Sequence, residues 1–198
     1  MTLPNKLTLF RIILIPAMVT IAYIPVLNDG TLMIGTMTLA NFINVIIFIV
    51  ASLTDFLDGY LARKYNLVTT FGKFADPLAD KLLVISAMVV LCTQIQQYAP
   101  EHTWFIPGWV IIVILCREFI VSGIRLVAVE RGNVIAAGLM GKIKTFTTMV
   151  ALSVLFFYQL HDVIGYIGAG LMYIALVFTI LSGVEYFWKN RKVILESI

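Results

Sequence analysis

Four aspartates lie within a 26-residue stretch, DFLDGYLARKYNLVTTFGKFADPLAD, of a chain that is otherwise mostly apolar. They belong to the pattern D-x-x-D-G-x-x-A-R, followed after eight residues by G-x-x-x-D-x-x-x-D. Its fixed positions are Asp55, Asp58, Gly59, Ala62, Arg63, Gly72, Asp76 and Asp80. An acidic side chain in a membrane-spanning segment costs about 2.5–3.5 kcal/mol on insertion scales. Four such side chains close together therefore indicate that cations lie among them.

Helical spacing predicts that the four acids can meet. Asp55 and Asp58 share one face of a helix, and Asp76 and Asp80 share one face of the next. Two antiparallel helices would bring all four carboxylates into one pocket, where they would repel each other unless divalent ions neutralised them. Oxygen ligands suit Mg²⁺, Mn²⁺ or Ca²⁺. The absence of His and Cys from the segment argues against zinc or copper.

The eight-residue pattern resembles the signature of the CDP-alcohol phosphotransferase family, and every position of that signature is matched without a gap. The resemblance covers most of the chain. It implies that the segment binds CDP linked to a lipid, together with two divalent ions, Mg²⁺ or Mn²⁺, held by the four aspartates. Asp80 would also be the general base that acts on the attacking alcohol. Gly59, Ala62, Arg63 and Gly72 would line the pocket of the CDP-lipid.

The first residues also resemble the start of family members, with Pro4-Asn5-x-x-Thr8-x-x-Arg11. This resemblance implies that Asn5, Thr8 and Arg11 contact the nucleotide or its phosphates, although they could instead cap and anchor a helix at the membrane interface. No Ser–His or Cys–His pair is spaced for a covalent relay. We therefore expect a hydroxyl to attack the lipid-linked phosphorus directly, with CMP as the leaving group.

Composition indicates a membrane protein, because 61% of the residues are hydrophobic, 13% are charged and the mean hydropathy is +0.98. Apolar runs separated by polar turns predict six transmembrane helices. They lie at roughly 7–27, 37–63, 74–98, 104–130, 138–160 and 163–188. No cleavage site follows the first run, so we expect it to be retained as a helix. The predicted fold is an all-α integral membrane protein, with residues 1–198 as one domain.

The distribution of basic residues predicts the orientation. All 14 Lys and Arg lie in the N-terminus, the second and fourth connections, the C-terminus, or the helix halves nearest to them. The other connections carry Asp29, Glu101, His102, His161 and Asp162 and no Lys or Arg. By the positive-inside rule, we expect both termini and the aspartate motif to lie on the cytoplasmic side of the cell membrane.

A second group of charges interrupts the later apolar runs. Arg117, Arg125, Lys142 and Lys144 predict a basic pocket that binds the phosphate of an anionic acceptor. Alternatively, Arg117 is neutralised by Glu118, and the other three extend toward the membrane surface. The stretches CREFIVSGIRL and GKIKT resemble the branch of the family that transfers a phosphatidyl group from CDP-diacylglycerol to sn-glycerol 3-phosphate.

Other interpretations remain open at this point. Inositol phosphate, serine or phosphatidylglycerol could replace glycerol 3-phosphate as the acceptor. A small cation transporter could use the same four acids, although a transporter site is expected near the membrane midplane and between two inverted repeats. The resemblance implies a homodimer that works on membrane lipid, and we expect no nucleic-acid partner.

Overall fold

Helices account for most of the described backbone in the computed structural model, which covers residues 3–28, 30–65, 69–130 and 138–195. The six long helices are α1 (Leu3–Ala22), α3 (Leu39–Lys64), α4 (Thr70–Tyr98), α5 (Gly108–Glu130), α6 (Leu139–Leu155) and α7 (Asp162–Leu195). Between α1 and α3 lie a short helix, α2 (Pro25–Asn28), and two antiparallel two-residue strands, β1 (Met33–Ile34) and β2 (Met37–Thr38). A 3-10 helix, Pro100–Phe105, connects α4 to α5. The prediction of an all-α protein is confirmed.

Four helices in the described part of the chain are long and apolar enough to cross a membrane. The candidate spans are Asn5–Ala22, Leu39–Gly59, Phe74–Tyr98 and Asp162–Arg191. The other two long helices, α5 and α6, do not qualify as candidate spans by length and composition. α5 carries Arg117, Glu118 and Arg125, and α6 has only 17 residues. The structure is therefore that of a multi-pass membrane protein.

Local hydrogen bonds explain why some helix ends differ from their predicted positions. The first helix ends at Ala22 and not near residue 27, and the side-chain amide of Asn28 donates to the carbonyl oxygen of Ala22 at 3.0 Å. The helix α4 begins before residue 74 because the Thr69 hydroxyl caps it, accepting from the Gly72 amide at 3.0 Å. The predicted break at 131–133 lies outside the described residues.

Helix α1 packs against both α3 and α4, while α7 packs against α5 and α6. The core lies between these groups. Phe48 of α3 and Phe156, just after α6, bring their ring centroids within 5.5 Å, and both are fully buried. Leu83 and Leu91 of α4 are also fully buried in this cluster. In a lipid environment, such close packing supplies much of the helix association.

Two glycines allow α7 to approach its neighbours closely. A Cβ added to Gly165 would lie 2.3 Å from Cε2 of Phe105 in the 3-10 helix. A Cβ added to Gly168 would lie 2.8 Å from Cγ of Leu155 at the end of α6. Small residues at such contacts let helices pack with their backbones close together.

We expect Gly165→Ala to lower the free energy of unfolding by about 1–3 kcal/mol, because an extra methyl group overpacks this contact. The ring of Phe105 is stacked on His102, with ring centroids 4.7 Å apart, so it has little room to retreat. Thermal unfolding in detergent measures the change. Gly170→Ala is the matched control, because no atom lies within 4 Å of a Cβ added there. Equal effects of the two substitutions would show that overpacking against Phe105 is not the cause of the loss.

Candidate active site

Arg11 of α1 lies inside the aspartate cluster. Its Nη1 donates to Oδ1 of Asp55 and its Nη2 to Oδ2 of Asp58, both at 2.6 Å. The Arg11 side chain has 0% exposure and that of Asp58 has 4%, whereas Asp55 remains 34% exposed. A guanidinium and a carboxylate can be buried in this way only when they compensate each other. The structure therefore buries Arg11 as the counter-charge of two predicted metal ligands.

Two further hydrogen bonds join α1 to α4. The Thr8 hydroxyl donates to Oδ1 of Asp76 at 2.6 Å, and the Thr69 hydroxyl donates to Oδ1 of Asn5 at 2.8 Å. A Cβ on Gly72 would lie 3.3 Å from Oγ1 of Thr69 and 3.4 Å from Oδ1 of Asn5. Because Gly72 has no side chain, Asn5 and Thr69 have room to form their hydrogen bond beside it. The three predicted N-terminal residues, all on α1, thus contact either the start of α4 or the acid cluster.

Asp80 lies one helical turn after Asp76 on α4. Its Oδ1 is buried and has no hydrogen-bond partner among the described residues. Its side chain lines a small cavity of about 70 Å³ together with Lys81, Glu118 and Lys144. A buried carboxylate oxygen without a partner is costly, and such atoms are rare in folded proteins. Asp80 therefore has a buried carboxylate oxygen that is available for a ligand.

The acid cluster fits divalent cations in its chemistry. Asp55 is close enough to Asp58, Asp76 and Asp80 for their charges to interact. Four carboxylates are ligands that Mg²⁺ and Mn²⁺ prefer. Among the described residues, no three His, Cys, Asp or Glu side chains are gathered closely enough to hold a metal ion. Arg11 holds two of the acids and Thr8 holds a third, so metal binding would require these contacts to open.

A second cavity, of about 330 Å³, lies between α4, α5, α6 and α7. Three of the four cations predicted to bind the acceptor line it, namely Arg117, Arg125 and Lys144. Lys142 does not line the cavity and is exposed. Residues two apart on a helix point in different directions, so Lys142 and Lys144 cannot share one wall.

A polar stripe on α7 and a cation on α4, neither of which was predicted from the sequence, also line this cavity. Ser182, Glu185, Tyr186, Lys189 and Asn190 of α7 face it, and so does Lys81, the residue after Asp80. The spacing i, i+3, i+4, i+7, i+8 of the α7 residues marks one helix face and could have revealed the stripe.

Ion pairs hold the walls of the basic cavity together. Glu118 Oε1 accepts hydrogen bonds from Nη1 of Arg117 at 3.0 Å and from Nζ of Lys144. Nη2 of Arg117 donates to Oγ of Ser182 at 3.0 Å, which connects α5 to α7. The predicted alternative, a pair between Arg117 and Glu118, is therefore present, and Arg117 lines the cavity as well.

The basic cavity adjoins the acid cluster. Four residues line both the large cavity and the small one that contains Asp80, namely Lys81, Glu118, Lys144 and Thr145. The charges of Lys144 and Glu118 also act on Asp80. An acceptor phosphate in the basic cavity would therefore lie next to the acid with the unpartnered oxygen.

Three predicted residues of the CDP-lipid pocket follow Asp58 on α3. Gly59 is half-buried. Ala62 and Arg63 belong to the same helix, but their side chains lie outside the described residues.

The sequence around the acid cluster and the basic cavity matches a known protein family. The profile of CDP-alcohol phosphatidyltransferase matches residues 1–181, which include both the acid cluster and most of the basic cavity. The chain belongs to this family. The predicted resemblance to this family is thereby confirmed.

Individual relatives are similar over nearly their full length. A protein of Bacillus subtilis (strain 168) is 45% identical over 199 residues, which is 98% of each chain. A protein of Rickettsia felis is 39% identical over 194 residues, 96% of each chain. A protein of Shigella flexneri serotype 5b is 37% identical over 200 residues, 98% of each chain. All three are named CDP-diacylglycerol–glycerol-3-phosphate 3-phosphatidyltransferase.

Proposed function

We propose that the protein transfers a phosphatidyl group from CDP-diacylglycerol to sn-glycerol 3-phosphate, forming phosphatidylglycerol phosphate and releasing CMP in phospholipid biosynthesis. The observation that carries this proposal is the shared wall between the acid cluster at Asp80 and the basic cavity. The names of relatives that are 37–45% identical over nearly the whole chain support the same donor and acceptor.

The donor binds at the acid cluster. Asp55, Asp58, Asp76 and Asp80 would hold two divalent ions, Mg²⁺ or Mn²⁺, which would neutralise charge on the diphosphate. The guanidinium of Arg11 suits a phosphate as well as a carboxylate, because both accept two parallel hydrogen bonds. Asn5 and Thr8 provide further polar groups on α1. Gly59, Ala62, Arg63 and Gly72 complete the pocket for the cytidine and the diphosphate.

Asp80 accepts the proton of the attacking hydroxyl. Its buried Oδ1 is free of hydrogen bonds from the described residues and borders the small cavity. The alcohol oxygen attacks the phosphorus that carries the diacylglycerol, and the bond from this phosphorus to the CMP oxygen breaks. No covalent enzyme intermediate is needed, because one general base and one positioned hydroxyl suffice.

The acceptor phosphate binds in the basic cavity. Arg117, Arg125 and Lys144 surround it, with Lys81 and Lys189 adding positive charge. Planar guanidinium groups bind phosphate oxygens in pairs and favour a phosphorylated acceptor over a neutral alcohol. This charge supports glycerol 3-phosphate over serine as the acceptor.

We further propose that all six long helices cross the cytoplasmic membrane within a single domain, with both termini and the active site on the cytoplasmic side. Arg117 of α5 and Lys144 of α6, which are not exposed, then lie within the bundle, where Glu118 neutralises them. CDP-diacylglycerol reaches the site from the membrane, and the soluble acceptor reaches it from the cytoplasm. The working unit is a homodimer.

An acceptor panel tests the function. Purified protein in detergent receives CDP-diacylglycerol and Mg²⁺ with one of five acceptors: glycerol 3-phosphate, inositol phosphate, inositol, serine or phosphatidylglycerol. Release of CMP should occur with glycerol 3-phosphate and stop when EDTA is added. Release with a different acceptor would overturn the proposed substrate. No release with any acceptor, together with cation flux in lipid vesicles, would favour a transporter.

We expect Arg117→Ala to raise the KM for glycerol 3-phosphate by about 10- to 100-fold, because a charge-assisted hydrogen bond contributes about 1.5–3 kcal/mol. The KM for CDP-diacylglycerol should change much less. Steady-state kinetics with each substrate varied in turn makes the comparison. Lys142→Ala is the matched control, since this cation lies outside the cavity. An equal rise in both KM values would mean that Arg117 is structural only.

A further inference from the structure

Glu118 occupies an unexpected position for a carboxylate. It lines the basic cavity and also the small cavity beside Asp80, and its side chain retains 19% exposure. An anion on the wall of a phosphate-binding cavity repels the phosphate. If binding of phosphate were the only requirement, a neutral residue would be the better choice at this position.

The contacts of Glu118 leave part of its carboxylate available. Both of its ion pairs, with Arg117 and with Lys144, end on the same oxygen, Oε1. The hydrogen bonds that described side chains donate to this carboxylate go to Oε1, and the side chain is partly exposed. An ionised carboxylate has no donor and accepts up to about four hydrogen bonds. The second oxygen can therefore accept a hydrogen bond from a ligand in either cavity.

The shape of the acceptor indicates which of its groups would donate a hydrogen bond to Glu118. With its phosphate in the basic cavity and its attacking hydroxyl at Asp80, the carbon chain of glycerol 3-phosphate has to pass the wall that both cavities share. Described residues of that wall are Lys81, Glu118, Lys144 and Thr145. The two lysines are donors only. The Thr145 hydroxyl, which donates to the Gly141 carbonyl, can also accept a hydrogen bond, but the ionised carboxylate of Glu118 accepts a stronger one.

We propose that Glu118 determines acceptor specificity by accepting a hydrogen bond from the central hydroxyl of glycerol 3-phosphate, the one that does not react. This inference rests on the proposed function. It assigns separate tasks to the two acids: Asp80 takes the proton of the attacking hydroxyl, and Glu118 recognises the neighbouring one. A site that binds a substrate hydroxyl with a buried polar group discriminates strongly against an analogue without it.

The test compares two acceptors that differ only in this hydroxyl, sn-glycerol 3-phosphate and 3-hydroxypropyl phosphate. The unmodified protein should prefer glycerol 3-phosphate in kcat/KM by about 10- to 100-fold, the range of a hydrogen bond to a charged group. In Glu118→Met this ratio should fall toward one, and in Glu118→Gln it should fall partly, because an amide oxygen still accepts a weaker hydrogen bond. Glu185→Gln is the matched control. It removes another carboxylate of the cavity wall, one paired with Lys189 on its own helix, and should leave the ratio unchanged.

The outcomes separate the inference from the proposed function. Equal use of the two acceptors by the unmodified protein would overturn the inference, and this measurement does not depend on whether a variant folds. If the Glu118 variants lose activity equally with both acceptors, Glu118 only positions Arg117 and Lys144, and the inference is again wrong. If no CMP is released with either acceptor, the proposed function itself fails and the inference fails with it.

Discussion

Asp80→Asn should lower kcat by about 10²- to 10⁴-fold, the usual contribution of a general base. The substitution removes a proton acceptor whose Oδ1 is buried and has no hydrogen-bond partner among the described residues. It also removes one proposed metal ligand, so the loss should lie toward the upper end of that range. Single-turnover release of CMP from CDP-diacylglycerol with saturating glycerol 3-phosphate measures the effect.

Stability distinguishes this loss from misfolding. A carboxylate oxygen that is buried and accepts no hydrogen bond from the described residues destabilises the fold, so replacement of Asp80 by a neutral amide should leave the thermal midpoint in EDTA unchanged or higher. Asp162→Asn is the matched control, because this aspartate begins α7 and its side chain is 71% exposed. It should leave kcat unchanged and lower the free energy of unfolding by no more than about 1 kcal/mol, the usual contribution of an exposed acid in the first turn of a helix. Substantial turnover by folded Asp80→Asn would exclude Asp80 as the base.

Arg11→Met should lower the free energy of unfolding in EDTA by about 3–5 kcal/mol, the cost of leaving one partner of a buried ion pair alone. Asp58, with 4% of its side chain exposed, would lose its counter-charge, and Asp55 would lose the same partner. Arg11→Lys keeps the charge but cannot bind both carboxylates with a planar fork, so its loss should be smaller. Thermal or denaturant unfolding in detergent compares the two variants.

Divalent cations should reverse part of this loss. If the four acids form a cation site, Mg²⁺ can replace the missing guanidinium, and the gain in stability should increase with its concentration. The rescue should be larger for Arg11→Met than for the unmodified protein, where Arg11 competes with the ion. Lack of any Mg²⁺ effect on Arg11→Met would contradict the proposal that these aspartates bind metal.

Much of the acid cluster could be predicted from local sequence. Helix geometry alone puts Asp55 with Asp58 and Asp76 with Asp80, because residues three or four apart share a helix face. The role of Arg11 as their counter-charge could not be predicted in this way. Arg11 lies 44 residues before Asp55, and the packing of α1 on α3 brings the two together.

The basic cavity, too, could be predicted only in part from local sequence. Charges within apolar sequence were enough to predict Arg117, Arg125 and Lys144 as residues of the cavity wall. Lys142 was predicted with them, but its position on α6 places its side chain outside the cavity. The polar face of α7 and Lys81 were missed because each looks like an ordinary helix surface until its neighbours are known.

Local sequence was enough to predict the family, the helical membrane architecture and the grouping of the four aspartates, because apolar run lengths and i, i+3 and i, i+4 spacing are properties of a single segment. The packing of the helices, in contrast, makes Arg11 the counter-charge of two of these acids and puts Glu118 on the wall between the acid cluster and the basic cavity. Such contacts join residues far apart in the chain, and side-chain packing between helices, which no local pattern encodes, selects them.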